Sequence, residues 1–291
     1  MTLFGIDVSQ FQGTIDWAQV KKSGITFGVA RCVRENGGVD ATYARNVAGQ
    51  RRAGLIPGAY AFLAGGGVAR AQARTFIQAI GDPAGMLTML DIERPTFHPT
   101  PTLADVQAFV AEWRSAHPQH PLLLYGSSGA VLGRIGRLAS LHAMGPLWLA
   151  FFREGVGTAP GQFYDSIGGN AAQQWRLAFS GWTGPTIWQF TSKQVRVPGV
   201  AKDIDTNAFR GTRAQLLALT GKNPATGPTT TPAPATQAKR FHVVTRGETL
   251  SGIAARFGFR GFRRLIAMFP ENHRFAANPG LIHPGDRVRV A

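Results

Sequence analysis

Two acidic residues stand two positions apart where an apolar segment ends. Asp91-Ile92-Glu93 follows the apolar run 86–90. Residues i and i+2 of a strand face the same side, so Asp91 and Glu93 point together and Ile92 points away. Mutual repulsion and desolvation raise a carboxyl pKa, which is what a general acid needs near neutral pH. The same pattern is also compatible with helix capping or with an ion pair to Arg94.

Further acidic residues stand in the first and last apolar segments of a long N-terminal region. Asp7 lies in the segment 5–9, and Asp205 lies in 203–207, where Asn207 shares its face. When a sheet closes into a barrel its end strands are neighbours, so these two aspartates would meet the Asp91–Glu93 pair at one rim. Buried carboxyl groups are costly, and such clusters are typical of functional sites. The predicted catalytic residues are Glu93, Asp91, Asp7 and Asp205.

Aromatic and amide side chains punctuate the same strand ends. Flat rings around a carboxyl cluster indicate a groove for sugars, whose C–H faces stack on them. Ordinary barrel core is the alternative, and it explains Phe62 and Phe190 more readily than the Trp and Tyr positions. The predicted sugar-contacting residues are Tyr60, Phe62, Tyr125, Trp148, Trp188, Gln189 and Asn207.

These residues need a scaffold, and short apolar runs alternate with amphipathic stretches through the first 220 residues. The predicted strands are Phe4–Ser9, Ile25–Val33, Leu55–Leu63, Met86–Glu93, Pro121–Gly126, Pro146–Phe152, Thr186–Thr191 and Asp203–Phe209. Helical periodicity is clear in Val68–Ile80, Leu103–His117 and Thr212–Thr220. Alternating strands and helices predict an α/β fold, an irregular TIM-like parallel barrel with its site at the carboxyl ends of the strands. Residues 153–185 show no clear period.

Composition limits the function classes. The 291 residues carry a formal net charge of +15, which favours polyanionic partners, although a GC-rich genome would also enrich Arg. No apolar run reaches the ~18 residues of a membrane span, so membrane insertion is not expected. Nucleic acid is not an expected partner either, because no binding motif or basic stripe appears. Seven scattered His argue against a zinc amidase, and Cys32 in a strand-like run argues against a cysteine peptidase. Neither metal nor cofactor is expected.

An uncharged segment rich in Pro, Thr and Ala, residues 223–238, reads as a semi-rigid spacer. It predicts a catalytic domain over 1–221, a linker over 222–239 and a small domain over 240–291. The first residues lack the basic and apolar regions of a secretory signal, so we expect synthesis in a cytoplasm and a separate exit route for any action outside the cell.

The N-terminal region resembles glycoside hydrolase family 25, the Chalaropsis-type lysozymes. The resemblance rests on residues 5–13 with Ile15-Asp16-Trp17, on 57–62, on 91–93, on Tyr125, on 147–150, on 188–190 and on 204–207. It implies an irregular (β/α) barrel that cleaves the β-1,4 bond between N-acetylmuramic acid and N-acetylglucosamine with retention. Glu93 would be the acid, and Asp91 would stabilise the attacking 2-acetamido group of the substrate. Ala61 departs from the family, which often has a polar residue there.

The small domain resembles LysM, a βααβ module that binds N-acetylglucosamine-containing glycans. The stretches 247–254 and 278–288 fit its motifs, and an excess of Arg adds a possible attraction to anionic wall polymers. The glycan contacts implied are Gly247, Glu248, Thr249, Asn278, Pro279, Leu281 and Ile282.

Together these features predict a monomeric muramidase whose partner is peptidoglycan. A phage endolysin released by a holin-type pore is the preferred biological role. A bacterial autolysin and a non-catalytic peptidoglycan- or chitin-binding protein are the alternatives.

Overall fold

The computed structural model describes residues 2–222, 241–257, 259, 261–276 and 278–290. The chain divides into two compact units, residues 1–225 and 226–291. Apart from Lys222, the predicted linker lies outside the described residues. Within the described part of the chain, no helix is both long and apolar enough to cross a membrane.

The first unit is a closed barrel of eight strands. The strands are β1 Thr2–Val8, β2 Ile25–Val33, β3 Ile56–Phe62, β4 Leu87–Asp91, β5 Leu123–Gly126, β6 Leu147–Ala150, β7 Ile187–Thr191 and β8 Asp205–Arg210. All eight predicted strands are thus confirmed, with ends that differ by a few residues. Glu93 lies two residues beyond the end of β4.

A helix lies in each connection between successive strands from β1 to β7. They are α1 Trp17–Lys22, α2 Tyr43–Arg52, α3 Ala69–Ile80, α4 Leu103–Ala116, α5 Val131–Ile135 and α6 Pro160–Ser166, and α7 Arg213–Ala218 follows β8. The three predicted helices are confirmed as α3, α4 and α7. Residues 153–185, which showed no period, contain α6 and short 3-10 turns at Gly169–Ala171 and Gln173–Arg176.

The expectation of an all-parallel barrel is wrong for its last strand. β8 runs antiparallel to both β7 and β1, whereas β1 to β7 are parallel in sequence order. The cause is the connection 192–204, which contains no helix. A parallel return needs a crossover that carries the chain back along the barrel, and this loop instead turns at the same rim. Asp205 therefore begins its strand rather than ending it.

Strand periodicity sorts the core into two layers. One set of side chains fills the barrel, among them Phe27, Met89 and Trp148, and the other packs between strands and helices. Gly5 shows how tightly the interior is filled, because a Cβ at this position would stand 2.2 Å from the ring of Phe27. Because Gly5 has no side chain, the ring of Phe27 can pack against β1.

The second unit has the predicted strand–helix–helix–strand order. It consists of β9 Phe241–Val243, α8 Leu250–Arg256, α9 Phe262–Met268, a 3-10 turn Pro270–Phe275 and β10 Arg287–Arg289, with β9 and β10 antiparallel. Leu250, Ile253, Leu265 and Val288 form a small core of its own.

Candidate active site

A cavity of about 350 Å³ opens at the rim where β1 to β7 end and β8 begins. All four predicted catalytic carboxyl groups line it. Its lining comprises Asp7, Val8, Ser9, Phe11, Gln12, Arg31, Tyr60, Phe62, Met89, Asp91, Glu93, Tyr125, Phe152, Gln189, Ser192 and Asp205. The barrel therefore gathers side chains from all eight strands or the loops that follow them.

Strand register explains how residues distant in sequence meet. Asp7 at the end of β1 lies directly opposite Asp205 at the start of β8, which is possible because β8 is antiparallel. Asp91 at the end of β4 lies opposite Phe62 on one side and Tyr125 on the other. Glu93 extends beyond the strand from the same face as Asp91, as the period of two requires.

Asp7 is held by amide groups. Its Oδ2 accepts hydrogen bonds from Gln189 Nε2 at 2.9 Å and from Asn207 Nδ2 at 2.8 Å. These amides are oriented in turn, because Tyr125 Oη donates to Gln189 Oε1 and Trp148 Nε1 donates to Asn207 Oδ1. Burial raises the pKa of Asp7, and the two amide bonds oppose that rise. Within the described chain, Asp7 is consequently the carboxyl group of the cluster that side-chain donors stabilise best.

The remaining carboxyl groups have no such donors within the described chain. Burial, followed by the charge of Asp7, raises the pKa of Glu93. Burial and then the charges of Glu93, Asp7 and Asp205 raise the pKa of Asp91 well above its usual range, and one Asp91 oxygen is buried without a partner. Burial, followed by the charges of Asp7 and Glu93, raises the pKa of Asp205 to about 9. The raised pKa of Glu93 favours the protonated form of this carboxyl group, which suits an acid catalyst.

Two tyrosines complete the polar wall. Burial, followed by the charge of Asp7, raises the pKa of Tyr60. Burial, followed by the charge of Glu93, raises the pKa of Tyr125. Both hydroxyl groups therefore stay protonated and can donate hydrogen bonds at the cavity wall.

Two of the predicted sugar-contacting tryptophans do not reach the cavity. Trp148 is fully buried inside the barrel beneath it. Trp188 faces outward, packs edge-on against Trp175 at 5.8 Å and donates from Nε1 to the backbone oxygen of Phe151. Adjacent strand residues face opposite sides, so Trp188 and the inward-facing Gln189 cannot both face the site. Asn207 likewise serves Asp7 from below instead of lining the cavity.

Phe62 is half-buried and lines the cavity, as predicted, although ordinary core was the alternative for this ring. Tyr60, Tyr125 and Gln189 line it as expected.

An ion pair in the wall was not predicted from the sequence. Arg31 in β2 is 8% exposed, and its Nε donates to Asp40 Oδ2 at 2.9 Å. Burial opposes the ionisation of Asp40, but hydrogen bonds from Thr42, from Arg31 and from the amide of Gln10 outweigh it and lower the pKa of this carboxyl. The available signal was the single basic residue inside an apolar strand, which implies a buried partner. Phe11, at 63%, and Phe152, at 52%, are exposed rings at the rim that were also missed.

In the second unit, Gly247, Glu248 and Thr249 precede α8. Thr249 caps the helix by accepting from the Gly252 amide at 3.1 Å. A hydrogen bond from the Thr245 amide, followed by one from the His242 ring, lowers the pKa of Glu248 to about 2. These two side chains already have structural partners within their own unit.

The other predicted glycan contacts lie between the 3-10 turn and β10. The Leu281 amide donates to the Asn278 oxygen at 3.0 Å, and the Leu281 side chain is 62% exposed. Pro279 is half-buried, and Ile282 packs against the core of the unit.

Comparisons with known proteins agree with this geometry. The model of the glycosyl hydrolases family 25 matches residues 6–200. Lysozyme M1 of Streptomyces globisporus is 29% identical over 229 residues, which cover 74% of this chain and 70% of that protein. The crystal structure of the bacterial lysozyme from Streptomyces coelicolor is 25% identical, with a TM-score of 0.60 over 75% of this chain and 97% of that one. A family 25 lysozyme from Aspergillus fumigatus shares the fold, with a TM-score of 0.59 at 22% identity over 76% and 99% of the two chains. The family model covers about two thirds of the chain and most of the barrel that holds the carboxyl cluster. The chain therefore belongs to glycosyl hydrolase family 25, the lysozymes.

Proposed function

We propose that this glycoside hydrolase cleaves the β-1,4 bond between N-acetylmuramic acid and N-acetylglucosamine in peptidoglycan, with retention of configuration. The observation that carries the proposal is Glu93, a carboxyl of raised pKa in a cavity with three others. Its proton is available for the leaving oxygen, and the carboxylate that remains can then remove a proton from water.

Asp91 would stabilise the 2-acetamido group of the substrate and would not itself attack the anomeric carbon. In this scheme the carbonyl oxygen of the 2-acetamido group bonds to the anomeric carbon as the glycosidic bond breaks and Glu93 protonates the leaving sugar. Asp91 hydrogen-bonds the acetamido N–H and stabilises the positive charge that develops there. Water, deprotonated by Glu93, then opens the ring intermediate from the original face. Such substrate assistance is an established departure from the two-carboxylate mechanism.

Glu93→Gln tests the acid role. The variant keeps the size of the side chain but has no acidic proton, so hydrolysis should fall by about 10²–10⁴-fold with the melting temperature retained. Glu112→Gln is the matched control, because Glu112 pairs with Arg70 on the outer helices. Mass spectrometry of the digest should show N-acetylmuramic acid at new reducing ends. Undiminished release by Glu93→Gln would reject the assignment, and free stem peptides would indicate another bond.

N-deacetylated peptidoglycan separates the two retaining mechanisms. Loss of the acetamido carbonyl should abolish turnover if that group is the nucleophile. A glycosyl adduct trapped on Asp91 would instead identify a carboxylate nucleophile.

We further propose that residues 240–291 form a LysM-like anchor for glycan. The strand–helix–helix–strand order and the exposed Leu281 in the 278–282 turn support this. Leu281→Asp should weaken sedimentation of the full chain with purified walls and leave hydrolysis of soluble fragments unchanged. Leu138→Asp, at a 74% exposed site in the barrel unit, is the matched control. Equal sedimentation of both variants would contradict the anchor.

A wall-cleaving barrel followed by a glycan anchor also suits a phage endolysin that reaches the wall through a holin-type pore. Expression inside a susceptible bacterium should lyse it only when such a pore is co-expressed. Lysis without the pore would favour an autolysin.

A further inference from the structure

A second cavity of about 460 Å³ lies beside the catalytic cavity. We call it the annex cavity, and its lining includes Phe11, Arg31, Arg34, Phe62, Phe97 and His98. Glu35 also lines it, and one oxygen of this carboxyl group accepts a hydrogen bond from the Thr96 amide at 2.7 Å. Phe11, Arg31 and Phe62 also line the catalytic cavity, so the two spaces share a wall. A group attached to a sugar bound at Glu93 could therefore extend past these shared residues into the annex cavity.

Arg31 presents unused hydrogen-bond donors at this wall. It is 8% exposed, and within the described chain its one protein acceptor is Asp40, which binds Nε. Asp40 is itself fixed by the amides of Gln10 and Thr42 at 3.2 and 2.9 Å. The two terminal nitrogens of the guanidinium are therefore oriented but have no acceptor among the described residues. A planar fork of donors in a buried site suits a carboxylate or an amide carbonyl.

Exposed aromatic rings also line the annex cavity. Phe97 is 84% exposed and Phe11 is 63% exposed, and the Arg31 guanidinium carbon stands 5.3 Å from the centre of the Phe11 ring. Exposed rings of this size next to a functional cavity mark a contact surface for apolar groups. The annex cavity therefore combines a fixed donor fork with rings that can pack against methyl groups.

We propose that the annex cavity binds the lactyl–peptide branch of N-acetylmuramic acid, with Arg31 donating to the carbonyl of the lactyl group. The proposal rests on the proposed function. The branch leaves the same sugar whose anomeric carbon reacts at Glu93, which fits two cavities with a common wall. It offers carboxyl-derived oxygens to Arg31 and apolar methyl groups to Phe11 and Phe97. A neighbouring N-acetylglucosamine could present its acetamido carbonyl to this fork, but it carries no peptide for the rings of Phe11 and Phe97.

Two glycan substrates test the proposal with the full chain. One is peptidoglycan strands that carry their stem peptides, and the other is the same strands after an amidase has removed the peptides and left the lactyl carboxylate. Phe97→Ala should raise KM about fivefold on the peptide-bearing strands and leave it unchanged on the stripped strands. Arg31→Lys keeps the charge beside Asp40 but lacks the fork, and it should raise KM about tenfold on both.

Leu138→Ala and Arg74→Lys are the matched controls, since both sites are exposed and lie outside the two cavities. Equal losses by Phe97→Ala on both substrates would mean that the cavity holds a neighbouring sugar, and unchanged KM values for both variants would also overturn the proposal. Phe97 is exposed enough that its truncation does not threaten folding. If the parent protein releases no muramic acid reducing ends, the proposed function fails instead. In that case saturation-transfer NMR still tests the site, by comparing the binding of muramyl dipeptide with that of N-acetylglucosamine. The annex cavity should bind muramyl dipeptide more tightly.

Discussion

Asp205→Asn is expected to stabilise the protein at neutral pH while reducing its activity by tenfold or more. Asp205 begins β8 directly opposite Asp7, and burial followed by the charge of Asp7 raises its pKa to about 9 from an ordinary value of 3.8. The folded chain therefore holds the Asp205 proton more tightly than the unfolded chain does. Asparagine has nearly the same shape, carries no charge and never ionises.

The sign of the pH dependence follows from these two pKa values. Below pH 4 both states are protonated, so the contribution of Asp205 to stability is fully present. As the pH rises, the unfolded chain ionises first and stability is lost until the pH passes the folded pKa near 9. At pH 7 the interval above 3.8 is about 3 pH units, and at 1.36 kcal/mol per unit the ceiling is about 4 kcal/mol.

The measured gain should be smaller than this ceiling, because the neighbouring carboxyl groups take up part of the repulsion. We expect about 1–2 kcal/mol, which corresponds to a melting temperature higher by about 3–8 °C at pH 7. Thermal unfolding followed by circular dichroism from pH 4 to pH 8 provides the measurement. The difference between variant and parent should vanish near pH 4 and grow with pH.

Asp203→Asn provides the control for that series. Asp203 is two residues away, but its side chain is 60% exposed and pairs with the 67% exposed Arg196. Surface pairs contribute about 0–1 kcal/mol, so this variant should be neutral or slightly destabilised at every pH. If Asp205→Asn behaved in the same way, the placement of a strained carboxyl cluster in this cavity would be refuted.

Three further expectations concern buried polar groups. Asn207→Leu leaves Trp148 Nε1 without its acceptor and removes one of the two donors to Asp7. Urea unfolding should show a free energy of unfolding lower by about 2–4 kcal/mol, and hydrolysis should fall at least tenfold. Parental values of both would contradict the role of Asn207 in holding Asp7. Asn272→Leu removes the buried amide that bonds backbone groups of α9 and β10, so hydrogen exchange should accelerate in the second unit while the barrel stays protected. Burial, above all, raises the pKa of the fully buried Cys32 thiol to about 12, and Ellman's reagent should therefore label it only after denaturation.

Much of this protein is written in local pattern. Apolar runs predicted all eight barrel strands, and the period of two put Asp91 and Glu93 on one face before any fold was known. The same period already separated Gln189 from Trp188, although the attraction of a tryptophan for sugars suggested otherwise. The strand–helix–helix–strand order of the second unit was also readable from its turns and alternation.

Tertiary structure decided what depends on partners far away in the chain. The direction of β8 followed from a connecting loop that contains no helix. Because β8 is antiparallel, its first residue, Asp205, lies at the rim where the other strands end. Arg31 is a cavity residue and Trp148 is core because of where the closed barrel places their strands. Sequence periodicity fixes which face a side chain occupies, since that is local geometry. Which residues share a face across strands is set by register and closure, and those are properties of the whole barrel.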